Sequence, residues 1–285
     1  SARAKIADFN CQSRANTVWA CARLLYSDAP LCEAIAAASR RTIKEAAAQN
    51  LSNTAWSCAA LLWRDRPLIA SIAAAAMTRI TDFSTQDLAN TVWAFAALGI
   101  MNQPLFDSIA SSSLPPIIAG LFAPQGLANT VWALATLSVS HGPLLKSISS
   151  AAIAKLPSFG PLELANTAWA LAKLLVADRP LRDAIAAAAM RKLHEFEERQ
   201  LTQTAWSFAA RGLRHLPLLK SIASAALRPM KDYNAQGVAN TAWSFSSLVV
   251  CDVPLLDALS SQALPRIRDF CPQNVANTAW AFAPL

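Results

Sequence analysis

The residues of this chain whose types and spacing could do chemistry fall into three sets: a recurring Asn-Thr-x-Trp phrase, a recurring cluster of Arg and Lys, and a scatter of Cys and His. The phrase returns at Asn16/Trp19, Asn53/Trp56, Asn90/Trp93, Asn129/Trp132, Asn166/Trp169, Gln203/Trp206, Asn240/Trp243 and Asn277/Trp280. An amide beside an indole can grip a polymer's backbone and stack on a base or a side chain. It can equally join identical repeats, the Trp filling the space between units and the Asn and Thr closing a ladder of hydrogen bonds. An unpaired buried polar group costs about 1–3 kcal/mol, so such a ladder has to be complete. Residues that read different partner positions should vary while residues that join identical units should not, and this near-invariance favours the joining role. Gln203, the one departure, is expected to mark a weaker junction.

The basic set is Arg41, Lys44, Arg79, Lys155, Arg191, Lys192, Arg228, Lys231, Arg266 and Arg268, at the helix A ends of every repeat except the one that follows Trp93. Stacked side by side they would form a positive stripe able to hold phosphates. Cations are also favoured at helix C-termini without any ligand, and Glu45, Asp82, Glu195, Asp232 and Asp269 follow close behind. Cys11, Cys21, Cys32, Cys58, Cys251 and Cys271 contain no CxxC pair, and Cys21 and Cys58 occupy the position held elsewhere by Phe95 or Leu134, so free structural thiols are expected. There are three histidines, none in a ligand spacing, and seven glycines without a phosphate-cradling loop. The expectation is no catalytic site, no metal, no cofactor and no small-molecule substrate.

Positioning these sets is the task of a repeat. The signature tryptophans are 37 residues apart in six of seven intervals and 39 in the third, from Trp93 to Trp132. Eleven residues after each of the first seven comes a proline, at Pro30, Pro67, Pro104, Pro143, Pro180, Pro217 and Pro254, which marks the first turn of a helix. Two residues before each proline stand Asp28, Asp65, Asn102, His141, Asp178, His215 and Asp252, in the place of a cap. The two histidines of this column are therefore loop or cap residues. This helix, A, keeps apolar residues at i, i+4 and i+8, as in Leu181, Ile185 and Ala189. An aromatic then closes each link, at Phe9, Phe83, Phe122, Phe159, Phe196, Tyr233 and Phe270, with Ala46 the exception. Helix B follows and carries the phrase, with Gln86, Asn90, Trp93 and Ala97 on one face and Leu88, Val92, Phe95 and Ala96 toward another.

The pattern predicts an all-α chain, an α-solenoid of helix-turn-helix repeats with a period of about 37 residues, in which helix B is the more buried of each pair. Residues 1–285 read as one array of about seven full repeats with partial repeats at both ends. The chain opens at the tail of one repeat helix and stops five residues after Trp280, as a segment of a longer protein would. The Ser111-Ser-Ser-Leu-Pro-Pro stretch in the long interval is expected to lengthen the link from A to B. Apolar residues make up 54 % and charged residues 15 %, ample for a core, and no apolar stretch approaches the roughly 18 residues of a membrane span. The net charge of +7 favours an anionic partner only mildly.

A variable column lies on helix A fourteen residues after each tryptophan: Glu33, Ala70, Asp107, Lys146, Asp183, Lys220 and Asp257, with small residues one turn on. A unit of 37 to 39 residues carrying aromatic-x-Pro-Gln-x-Leu/Val-Ala-Asn-Thr-x-Trp-Ala, whole at 122–133 and 270–281, resembles the octotricopeptide and heptatricopeptide repeat families. It is similar as well to helical-repeat subunits of mitochondrial RNA-editing substrate-binding complexes. The resemblance covers the whole chain. It implies an organellar protein of mitochondrion or chloroplast that binds single-stranded RNA in processing, editing, stability or translation, in company with protein partners. RNA would then lie along helix A, the variable column choosing bases and the basic ends holding phosphates. Two alternatives stay open: a protein- or peptide-binding, armadillo-like scaffold, and a structural subunit of an organellar RNA-protein complex. Exposure of the tryptophan column separates RNA from peptide binding.

Overall fold

A computed structural model of the chain describes residue 6 and residues 8–283; the expected helix tail at the start and the last two residues lie outside these. The described residues form fifteen α-helices and no strand. They are α1 (Cys11–Arg23), α2 (Ala29–Arg41), α3 (Ala48–Ala60), α4 (Arg66–Thr78), α5 (Thr85–Ala97), α6 (Gln103–Ile118), α7 (Pro124–Thr136), α8 (Gly142–Lys155), α9 (Pro161–Lys173), α10 (Arg179–Lys192), α11 (Glu198–Ala209), α12 (Leu216–Ala226), α13 (Ala235–Ser247), α14 (Val253–Ala263) and α15 (Pro272–Phe282). Odd numbers are the B helices and even numbers the A helices.

Each A helix starts where its proline and cap place it. Asp65, Asn102 and Asp252 accept from the backbone N–H three residues on at 2.8–3.1 Å. His141 and His215 do the same through Nδ1, each at 3.1 Å, which fixes the ring's proton on Nε2 and answers the question of what these histidines are for. Most A helices end in a short 3-10 turn, such as Ile80–Asp82 or Leu193–Glu195, which delivers the link aromatic in extended conformation. B helices end differently. Past the cap residue of each comes a left-handed one, at Leu25, Leu62, Gly99, Ser138, Leu175, Gly212 and Val249, and the next N–H bonds five residues back, as from Trp63 to Cys58 at 2.8 Å. Leucine or valine there costs about 1–2 kcal/mol relative to glycine, yet four of the seven turns carry one.

The long third interval does not lengthen a link, contrary to expectation. α6 runs 16 residues with Pro115 and Pro116 inside it, and a left-handed Gly120 closes it while Leu121 N–H bonds to Pro116 C=O at 2.9 Å. The two extra residues are absorbed as helix because that glycine supplies the stop that the other A helices obtain from a 3-10 turn.

The chain divides into two compact units, residues 1–151 and 152–285, with the division inside α8. In the first, α1, α3, α5 and α7 pack side by side in chain order, and α2, α4 and α6 form a second row against them. In the second, α9, α11, α13 and α15 form one row and α10, α12 and α14 the other. The architecture in each is a helical solenoid of two layers. The B row is the more closely packed and the more buried, as in α5, where Leu88, Ala89, Thr91, Val92, Ala94, Phe95 and Ala96 are all covered. The link aromatics fill the seam between repeats: Phe122, Phe159, Phe196 and Tyr233 are 0–1 % exposed. Ala46 keeps the position buried without filling it. Among the described residues no helix is long and apolar enough to cross a membrane.

Candidate binding surfaces

The variable column of helix A lies in the open. Glu33, Ala70, Asp107, Lys146, Asp183, Lys220 and Asp257 are all exposed. Two of the acids have neighbours on their own helix: Asp107 accepts from Gln103 Nε2 at 2.7 Å, and Asp183 lies 3.5 Å from Arg179. Both contacts are solvated and of little energetic consequence.

The basic ends divide into two groups. Arg79, Lys192, Arg228 and Arg266 turn back onto the preceding repeat and donate to the carbonyl of its link residue. Arg79 reaches Ala46 at 2.9 Å, Lys192 reaches Phe159 at 2.7 Å, Arg228 reaches Phe196 at 2.7 Å and Arg266 reaches Tyr233 at 2.9 Å. Lys192 adds the Pro157 carbonyl, Arg228 adds His194, and Gln262 joins Arg266 on Tyr233. Each link leaves a carbonyl that no helix satisfies, and a cation from the next repeat supplies the donor. Around Phe9, Arg14 of α1 takes this part, bonding the Phe9 carbonyl and the Thr42 hydroxyl while almost fully buried. These side chains staple repeats together, which is a sufficient reason for their recurrence. The second group, Arg41, Lys44, Arg191, Lys231 and Arg268, is exposed at the same end of the A helices, and Lys155 is half-buried. The staple escaped sequence reading because its acceptors are main-chain atoms. Its trace is the offset of 32 or 33 residues between cation and link residue.

Helix B turns its phrase inside out relative to the expected ladder. Threonine is the buried member: Thr91, Thr130, Thr167, Thr204 and Thr241 are 0–1 % exposed. Thr54 and Thr130 donate to the carbonyl four residues back at 2.7 Å, and Thr202 and Thr241 meet at 3.0 Å. The amides instead sit on the outer strip. Asn53, Asn90, Asn129, Asn166, Gln203, Asn240 and Asn277 are half-buried and Asn16 is exposed. Among the described residues the side chains of Asn53, Asn90, Asn129 and Asn240 have no protein hydrogen bond, so the expected amide ladder is not built. The inter-repeat amide bond that does form belongs to Gln203, whose longer side chain reaches Asn166 Oδ1 at 3.1 Å and the Ala165 carbonyl at 3.3 Å. Gln203 thus makes an inter-repeat amide contact that the asparagines do not make.

The tryptophans share this strip. Trp56, Trp93, Trp132, Trp169, Trp206 and Trp243 are half-buried, while Trp19 and Trp280 are 43 % and 52 % exposed. In the first unit the rings form a ladder, Trp56 to Trp93 at 6.4 Å and 28°, and Trp93 to Trp132 at 6.2 Å and 33°. Arg23 lies 5.6 Å over the Trp19 ring. The rings pack on one another from repeat to repeat and stay partly open to solvent.

The groups with raised values are the buried Cys32, Cys58 and Tyr233 and the half-buried Glu198. Burial pushes the thiols of Cys32 and Cys58 up, as expected of packing residues. Burial also raises the Tyr233 phenol to about 12 and lifts the Glu198 carboxyl above its ordinary value. Glu198 leans over Gly237, where a Cβ would stand 1.9 Å from its Oε1. Among the described residues no group of His, Cys, Asp and Glu is arranged to hold a metal ion.

Among known families the chain matches the model described as RNA-editing substrate-binding complex 6 protein, over residues 3–187 and 163–285. No curated protein matches the chain.

Proposed function

The chain belongs to the RNA-editing substrate-binding complex 6 protein family, and on that premise we propose that it is a binding subunit of an RNA-editing assembly, without catalytic activity of its own, that holds single-stranded RNA along the open ends of its A helices. The observation that carries this reading is that the A helices expose both a column whose charge changes from repeat to repeat, in their first half, and, at their C-terminal ends, cations that no staple uses. In the second unit these cations are Arg191, Lys231 and Arg268, on the repeats that carry Asp183, Lys220 and Asp257. In the first they are Arg41 and Lys44, on the repeat that carries Glu33. Small residues one turn along helix A let a phosphate backbone approach. Of the two organelles that the octotricopeptide-like phrase implies, editing complexes of this kind favour the mitochondrion.

A structural subunit that holds RNA without choosing its sequence is the second reading, and the staples favour it. With Arg79, Lys192, Arg228 and Arg266 engaged, fewer cations remain to fix a register. A titration against random single-stranded RNA at several salt concentrations, with the bound fraction sequenced, tests both. Binding with a log–log salt slope of about −0.7 per phosphate contact, weakened by joint reversal of Arg191, Lys231 and Arg268 to glutamate, supports the RNA role. An enriched motif supports sequence choice, and its absence supports the structural subunit. A folded chain that binds no RNA at low salt overturns both.

A further inference from the structure

The outer strip of α3, α5 and α7 takes no part in that reading, and its chemistry is unlike that of the A-helix ends. The ionisable side chains of these three helices are Cys58 and Asp87, and both are buried. The surface is therefore uncharged over three consecutive repeats. It holds three open amides, Asn53, Asn90 and Asn129, each three residues before a half-buried tryptophan of the Trp56–Trp93–Trp132 ladder. We propose that this strip is a docking site for an extended, low-charge polypeptide segment of a partner protein, bound across α3, α5 and α7 with apolar side chains at alternate positions.

Three features select a polypeptide over a nucleic acid. A polyanion finds no cation here to displace its counterions, although phosphate neutralisation supplies most of non-specific nucleic-acid binding. The rings are too close and too inclined to sandwich a base: two stacking gaps of about 3.4 Å need nearly 7 Å between parallel planes, whereas the rings stand 6.4 and 6.2 Å apart at 28° and 33°. The same spacing does suit a strand, which rises about 3.2–3.4 Å per residue and so repeats on one face every 6.4–6.8 Å. One side chain in two would then meet the ladder, the others pointing away. Carboxamides complete the match. Each offers a donor and an acceptor, as each residue of a polypeptide backbone does, while a phosphate only accepts. Recognition by backbone hydrogen bonds with alternate side chains in apolar notches is the general mode for extended peptides.

The test uses the full chain against a displayed random library of peptides about twelve residues long, enough to cross three rungs at strand spacing, with RNA binding measured in parallel. Enrichment of low-charge sequences with apolar residues in alternation is expected, with affinity insensitive to salt because no charge pairs are involved. Binding should shield tryptophan fluorescence from acrylamide. The joint variant Asn53→Ala, Asn90→Ala, Asn129→Ala removes no protein hydrogen bond, so it should fold as the parent does yet lose at least about tenfold in peptide affinity, while its RNA affinity is unchanged. Failure of the library to yield a binder overturns the proposal, as does a binder unaffected by the triple variant. RNA affinity that falls in the triple variant while peptide affinity does not would reassign the strip to nucleic acid. Loss of RNA binding on reversal of Arg191, Lys231 and Arg268 stands or falls separately.

Discussion

Two aromatic columns run through this molecule at the same period, and they do different work. The link column, Phe122, Phe159, Phe196 and Tyr233, is 0–1 % exposed in the seam between repeats. The tryptophan column is half-buried, its rings packed on one another in the first unit. Recurrence in sequence is the same for both, so recurrence alone cannot distinguish glue from surface. The difference lies in where each stands on its element. A link residue stands in the turn between helix A and helix B, while the tryptophan stands within helix B.

Truncation should break the first column hardest. Phe196→Ala empties a closed site and is expected to cost about 3–5 kcal/mol, read as a lower midpoint in chemical denaturation. Trp93→Ala gives up a larger side chain from a half-open site. A smaller cost is expected, since part of the ring's area is already in water. Equal costs for the two variants would show that both columns are glue and remove the basis for an open strip.

The basic residues permit the same comparison at lower energy. Arg228→Ala removes two short bonds to the Phe196 and His194 carbonyls and should destabilise the second unit by about 1–2 kcal/mol, toward the low end for charged donors because the side chain is itself exposed. Lys231→Glu, three residues on, should leave the denaturation midpoint unchanged and weaken RNA binding. If Lys231→Glu unfolds the chain as Arg228→Ala does, the division of cations into staples and open groups fails.

Much of this was legible in the residues. The 37-residue spacing, the caps before each proline and the aromatic links specify where helices start, stop and turn, because capping and proline geometry are local. The helical wheel also placed Gln86, Asn90, Trp93 and Ala97 on one face. It could not say whether that face is covered, which depends on how many layers the solenoid has. The staples were illegible for a related reason: Arg228 looks like any cation at a helix end until its carbonyl partners, 32 and 34 residues earlier, are in place. Pro115 and Pro116 misled because two prolines ordinarily stop a helix, and here Gly120 provides the stop instead.

The left-handed turns after the B helices offer a smaller perturbation. Leu62 and Val249 adopt φ of 52° and 53° and are 72 % and 79 % exposed, so burial of the side chain does not repay their strain. Val249→Gly relieves a β-branched residue in that region and loses part of the gain to the greater freedom of glycine in the unfolded chain. A net stabilisation of about 0.5–1 kcal/mol is expected, visible as a higher melting temperature. Gly99→Val, at the equivalent turn of the first unit, should shift it the other way.

The gentlest test concerns a carboxyl set against the buried column. Glu198 has its carboxyl raised by burial, between the Thr202 hydroxyl at 3.5 Å and the open Cα of Gly237. A folded-state value above the unfolded one means that the folded chain holds the proton more tightly. Its contribution is therefore fully present below the ordinary carboxylate range near 4.3 and is lost as pH rises through the raised value. Glu198→Gln keeps the shape and removes the charge, so the variant should be the more stable of the two at pH 7, with the difference closing as pH falls below about 4. Parallel stability–pH curves for the two proteins would mean that the carboxylate is solvated in the folded chain. The seam beside Tyr233 would then be open to water at Glu198, and the contrast between a closed link column and an open tryptophan column would be weaker in the second unit than burial indicates.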